Sequence, residues 1–245
     1  MQRPRFLVII AAISAVHAAI ASAAWAAPHK PHTVAAGAAK SVPYSPAGDP
    51  AGADPGETQL KIRGLYVDGV LKEWTTGERH DVTDRSFVVR RAVHLNDALP
   101  GDKPLKINQE ERWVWQRGPW LLVDRVTGRV TALHLPDYDP GVSRVRWFRD
   151  YAAYCGLTAS GKSLYAVVAQ IAARRPALAK KIAAFDAIDH SGPACAPTEW
   201  QREPLRITFY PAGREAVSFD LVPGSTVLVE DTGEEGDVAE TTPAK

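Results

Sequence analysis

"GLTASGKS", residues 156–163, reads as Gly156, four residues, then Gly161-Lys162-Ser163, and so matches the G-x-x-x-x-G-K-[ST] pattern of a phosphate-cradling loop. The fold turns on how this stretch is read. A working loop of that kind needs a buried strand before Gly156 and a helix opening at Gly161-Lys162, because backbone N–H groups at the helix terminus make the anion site. Here runs of strand character lie on both sides, "YAAYCGL" (151–157) and "SLYAVVAQ" (163–170). They predict a hairpin, with Gly161 at a position needing positive φ and Lys162 as an exposed turn residue. The same reading predicts no nucleotide partner. "WLLVD" (120–124) imitates the acidic strand that accompanies phosphate loops, but Val123-Asp124 leads straight into a Thr127-Gly128 turn.

Outward from this hairpin the pattern repeats. "LYVDGVLKEW" (65–74) sets Asp68-Gly69 between two apolar-flanked runs, a strong hairpin signal. "SFVVRRAVHL" (86–95) is rich in β-branched residues, "RWVWQRGPWLLVDRVTGRVTALHL" (112–135) holds three runs, and "LRITFYPAGREAVSFDL" (205–221) turns at Ala212-Gly213. The expected fold class is mostly β, an antiparallel hairpin meander arranged as a sandwich. One stretch dissents: "PALAKKIAAF" (176–185) opens on a proline and is dense in alanine, which predicts one short helix near 176–185.

A second arrangement competes with the sandwich. "WLLVDRVTGRVTALHL" (120–135) resembles the strand, D-x-x-T-G turn and strand unit of quinoprotein-type propeller blades, and residues 145–170 have a similar meander rhythm. The resemblance implies a small propeller-like arrangement of blades. Asp, Thr and Gly also favour any tight turn, so the motif leaves both architectures open.

The ends of the chain differ from its middle. Arg3 and Arg5, an apolar run from Phe6 to Ile20 and the ending Ala24-Trp25-Ala26 have the three zones of a secretory signal over residues 1–26. Export follows, to the periplasm or beyond, with no membrane span once the segment is cleaved. Residues 27–57 are built from Ala, Pro, Gly and Ser and are expected to form a disordered tether. Residues 58–229 are expected to form a single globular domain, and 230–245 an acidic disordered tail. Within the domain Cys155 and Cys195 are the only cysteines, and in an oxidising compartment the pair is expected to form a disulfide. The formal charge is +1, so no excess of either sign draws the chain to nucleic acid.

The chemistry-bearing residues are sparse. The chain has no G-x-S-x-G, H-E-x-x-H or S-x-x-K signature of the common serine and zinc hydrolases. In "HLPDYDPG" (134–141), Asp137 and Asp139 could face one way and begin a calcium site, but nothing nearby supplies the six to eight oxygens that calcium takes, so no metal and no cofactor are expected. Trp113 and Trp115 alternate along a strand, so both indoles point to one face. Such indoles serve a core, or a patch that binds sugars or a protein. The functional expectation is a non-enzymatic binding module of the cell envelope, its partner an envelope protein or glycan. The alternative is a hydrolase whose site is assembled from dispersed residues such as His134, Asp137 and Asp139.

Overall fold

The computed structural model describes residues 31–96, 113–171, 173, 175–186, 192–221 and 228–230. The signal-like residues 1–26 and the acidic stretch after Glu230 lie outside them. Apart from one 3-10 turn at Pro46–Gly48, the regular structure of the described residues is all β. Among the described residues no helix is long and apolar enough to cross a membrane.

Three antiparallel sheets form. In the first, β3 (Gln59–Val67), β4 (Val70–Thr83), β5 (Ser86–Asn96) and β6 (Trp113–Asp124) run as a meander, and β7 (Val130–Ala132) pairs with β6. β1 (Val34–Ala36) and β2 (Lys40–Pro43) lie in succession along the free edge of β3. The turn between β3 and β4 puts Asp68 and Gly69 at φ 52° and 78°, the paired positive values that a two-residue hairpin requires. The second sheet has the order β11-β10-β9-β8, with β8 Arg146–Phe148, β9 Tyr151–Leu157, β10 Ser163–Gln170 and β11 Leu178–Ala184. The third is the meander β12 (Cys195–Gln201), β13 (Arg206–Pro211), β14 (Val217–Leu221) and β15 (Leu228–Glu230).

Side-chain alternation assigns the layers. Along β9, Ala152 and Tyr154 pack with Val88 and Trp120 of the first sheet, while Ala153 and Cys155 pack with Ile207, Phe209 and Phe219 of the third. On β10, Val167 and Ala169 face the first sheet and Leu164, Ala166 and Val168 the third. The second sheet is therefore covered on both faces, which is why its strands read as nearly continuous apolar runs. The arrangement is sandwich-like, with one layer more than a two-sheet sandwich.

The phosphate-loop look-alike is the turn of the β9–β10 hairpin. Leu157 pairs with Leu164, Gly161 has φ 70° and its N–H donates to the Thr158 carbonyl at 2.8 Å. Lys162 is exposed, and a strand follows where a phosphate cradle would need a helix.

Two expectations are corrected. Residues 178–184 are strand β11, not a helix: β10 offers an unpaired edge, and pairing with it satisfies the backbone while seating Ala183 in the core. Tertiary pairing overrides the alanine propensity. Residues 34–57 are no tether either, since β1 and β2 extend the first sheet and Val42 and Tyr44 are buried with Leu60 and Ile62. Val42 and Tyr44, two apolar residues two positions apart, bury enough to hold an otherwise Ala/Pro/Gly segment in place.

Cys155 and Cys195 form the expected disulfide, joining β9 of the second sheet to the start of β12 in the third. The bridge closes a loop of sequence separation 40, worth about 4 kcal/mol by loop entropy. The paired Cys155→Ala/Cys195→Ala variant is expected to lose about that much stability in urea unfolding. A loss under about 1 kcal/mol would show that packing of the two sheets suffices.

Candidate functional site

On β5 the residues facing the second sheet are Val88, then Arg90, where the alternation asks for an apolar side chain. Arg90 is buried there at 3% exposure, and Asp49, also 3% exposed, is brought to it by the segment that follows β2. Arg90 Nη2 lies 3.2 Å from Asp49 Oδ2, and Arg90 Nη1 donates to the Tyr138 hydroxyl at 3.0 Å. Trp120 on β6 stands beneath the guanidinium, whose carbon is 5.5 Å from the ring centroid. Trp147 on β8 meets Trp120 edge-on at 5.1 Å and is stacked on its other side by His80 of β4.

These side chains line a cleft of about 490 Å³ between the first and second sheets. Five arginines line it (Arg79, Arg90, Arg117, Arg144 and Arg146) against the three carboxylates of Asp49, Asp54 and Glu78. Each carboxylate is held by an arginine: Asp49 by Arg90, Glu78 by Arg117 Nε at 2.9 Å, and Asp54 by Arg144 at 3.6 Å. The Arg117 guanidinium also donates to both Glu57 oxygens and to the Tyr44 hydroxyl. His80 Nε2 lies 2.7 Å from the Arg149 carbonyl. The acids of the cleft are therefore engaged as ion pairs, and its histidine is tied to the backbone.

The segment carrying Asp49, Asp54 and Glu57 is pinned along its length. Ser45 N–H donates to the Trp115 carbonyl at 3.0 Å, Ala51 N–H to the Pro140 carbonyl at 3.2 Å, and Arg144 to the Gly52 carbonyl. Gly52 suits this wrap, because a Cβ there would run into the Asp49 carboxylate. The loop opposite is pinned as firmly: Ser143 Oγ donates to the Cys155 carbonyl at 2.8 Å and accepts from its N–H at 3.0 Å, and Tyr154 donates to the Pro136 carbonyl at 2.6 Å.

Four buried side-chain atoms have no hydrogen-bond partner among the described residues: Asp49 Oδ1, Arg90 Nε, Trp120 Nε1 and Trp147 Nε1. All four belong to residues of this one cleft. An unsatisfied buried polar group costs about 1–3 kcal/mol, so four together are a concentration of unmet hydrogen-bonding capacity. Burial, opposed by Arg90, raises the Asp49 carboxyl above its ordinary value, and burial raises the Tyr138 hydroxyl likewise.

The residues singled out from sequence lie elsewhere. Trp113 is half exposed, and Trp115 is partly buried against His94, stacked at 4.8 Å, and Trp74, edge-on at 6.0 Å. The pair therefore divides between a small core and the surface. His134 lines a separate, mostly apolar hollow of about 270 Å³ with Leu133, Ile171 and Pro176. Asp139 accepts the Gly141 N–H at 2.7 Å within its own turn, and the Asp137 carbonyl accepts the Leu157 N–H at 2.8 Å. The cleft residues were missed because no motif joins them. The one available signal was Arg90, a charge on the inward register of an apolar strand.

No protein-family model, no curated protein and no solved structure matches the chain. Among the described residues no group of three or more His, Cys, Asp or Glu side chains is placed to hold a metal ion.

Two outcomes test the electrostatics. Arg90→Met alone is expected to cost about 3–5 kcal/mol by stranding Asp49, whereas Arg90→Met with Asp49→Leu recovers most of that loss in urea unfolding. In carboxyl ¹³C titrations Asp49 should protonate above its ordinary value of 3.8, and Asp124 and Asp220 below theirs. Because the folded state holds the Asp49 proton more tightly than the unfolded one, this group favours folding below the ordinary value. That contribution is lost as pH rises through the raised one.

Proposed function

We propose that this chain is an exported, non-enzymatic binding module of the cell envelope, and that its cleft between the first and second sheets seats an anionic group carried by an envelope glycan or protein. The observation that carries the reading is the gathering of five arginines and two tryptophans in the lining of one cleft, where Asp49, Arg90, Trp120 and Trp147 each keep a buried polar atom without a partner among the described residues. Arg79, Arg90, Arg117 and Arg144 are each paired with a carboxylate, while Arg146 lines the cleft without a carboxylate partner among the described residues and favours a ligand rich in acceptor oxygens. The surrounding tryptophans supply a low-dielectric wall that strengthens such bonds. Binding rather than acid–base chemistry is favoured because the cleft carboxylates are already in ion pairs with arginine. Export is supported by the three-zone leader pattern of residues 1–26, and the buried disulfide suits an oxidising compartment.

Indole N–H resonances give a direct test. Titration of the ¹⁵N-labelled chain with inorganic phosphate, sulfate, acetate and glucuronate is expected to move the Trp120 and Trp147 signals saturably with at least one anion. Trp113, which is half exposed and outside the cleft lining, is expected to stay in place. If none of the four anions moves the two cleft signals, the reading fails.

A further inference from the structure

We infer that the face of the first sheet turned away from the cleft carries a second site, a pocket that takes a short aliphatic carboxylate. The inference stands apart from the binding reading above. On β5, Phe87 and Val89 alternate with Val88 and Arg90, so they point away from the second sheet. Both are nevertheless buried, because the sheet curls around them. Val34 of β1 and Val130 of β7, from the two ends of the sheet, pack on the one cluster of Leu65, Phe87, Val89, Leu121 and Val123. The turn after β6 tightens the curl, since a Cβ at Gly128 would run into Val67 of β3 and into His32.

Beside β1 the curl leaves a pocket of about 230 Å³, its apolar walls made by Val34, Ala35, Ala36, Leu65, Phe87 and Val89. Three arginines line it as well, Arg63, Arg79 and Arg125, and no carboxylate does. Ala36 pairs with Leu65 across the ladder and Arg63 lies two positions before Leu65, so these three share a face. The Arg79 and Arg125 guanidinium carbons lie 4.3 and 4.9 Å from the Phe87 ring centroid, which sets both on this side although Arg79 borders the cleft too. Outside the pocket these two share one acid: Arg79 Nη2 donates to Asp81 at 2.8 Å, and Arg125 donates to the same oxygen. Arg63 has no carboxylate partner among the described residues. Three guanidiniums against one carboxylate leave the rim positive. The volume is room for about eight non-hydrogen atoms at about 30 Å³ each, the size of a carboxylate with a short alkyl chain. Its oxygens would accept from Arg63 and from the Arg79 N–H groups not spent on Asp81, and its chain would lie along Val34, Ala36 and Leu65. Acetate or phosphate would meet the arginines and leave the alkyl walls bare. An alcohol of equal length would cover the walls without the charge.

The test is a methyl ¹³C titration of the full chain with hexanoate, acetate, inorganic phosphate and hexan-1-ol. Hexanoate is expected to move the Val34, Leu65 and Val89 methyl signals saturably, and the other three to bind there at least about tenfold more weakly. Arg63→Gln should weaken hexanoate about fivefold or more and leave hexan-1-ol unchanged, a difference that a general loss of structure would not produce. Should that variant not fold, Ala36→Leu places a side chain in the pocket and should abolish hexanoate binding at these methyls. The inference is overturned if hexanoate leaves the three methyl signals in place, if acetate, phosphate or the alcohol binds as tightly, or if the variant that folds binds hexanoate as the unaltered chain does. The Trp120 and Trp147 indole signals report the cleft separately. Anions that move the indoles while hexanoate leaves the methyls unmoved sink this inference and leave the binding reading standing, and the opposite result does the reverse.

Discussion

The second sheet is buried on both faces, and the remaining elements are arranged around that constraint. Ala152, Ala153, Tyr154 and Cys155 are consecutive and all fully buried, so β9 has no side to give to water. A strand of this kind must be covered by two further layers, and the first and third sheets are those layers. Its hydrogen-bonding edges need cover too. β8 pairs only with residues 151–153, and the remaining edge is closed by the loop through Asp137, Tyr138 and Ser143. That loop brings Tyr138 and Arg144 to the cleft. The cleft thus arises where the first sheet, the second sheet and the loop that seals β9 come together.

Strand existence was readable because it is written in short-range terms. Asp68-Gly69, Thr127-Gly128, Gly161 and Gly213 each mark a turn, and four glycines in this set take the positive φ that the turns demand. In the Thr127-Gly128 turn, Asp124 accepts from the N–H groups of Val126 and Thr127 at 2.7 and 3.1 Å, the local bonding that made the stretch look like a propeller blade. The disulfide was readable as well, because two cysteines allow only one pairing. What could not be read locally was decided by distant partners. β11 is a strand because β10 lies beside it, and residues 34–57 are ordered because β3 offers an edge and Arg90, Arg117 and Arg144 offer charges.

The site was legible only in one residue, and only once a register is assigned. Arg90 lies two positions from Val88, so a strand over 86–96 forces either a buried guanidinium or a break in the pairing. The ladder holds: Arg90 pairs with Trp120, and the register shifts only after that pair. The partner of the buried charge, Asp49, sits in the stretch of least sequence information, among Ala, Pro and Gly. Composition describes what such a segment cannot bury and is blind to what a single carboxylate can pair with. Trp113 and Trp115 drew attention because alternation is visible in sequence, whereas Trp120 and Trp147 come from different sheets and meet only in the folded chain.

A buried arginine–aspartate pair is a poor means of holding two sheets together. Desolvating both ions costs several kcal/mol each, and their attraction repays it only when the remaining polar atoms are also satisfied. Here they are not, since Asp49 and Arg90 each keep one atom without a partner among the described residues, and Trp120 and Trp147 do the same. Stability alone would be better served by a leucine and a methionine in these places, packed like Val88 and Ala92 along the same strand face. By contrast Arg117, whose donors are met by Glu57, Glu78 and Tyr44, is the kind of buried charge that a fold can sustain by itself. The two arginines are neighbours in the same sheet, so the difference between them is not one of general environment. Arg117 is satisfied by the protein. Arg90 keeps its Nε without a partner among the described residues, beside Asp49 Oδ1 in the same condition.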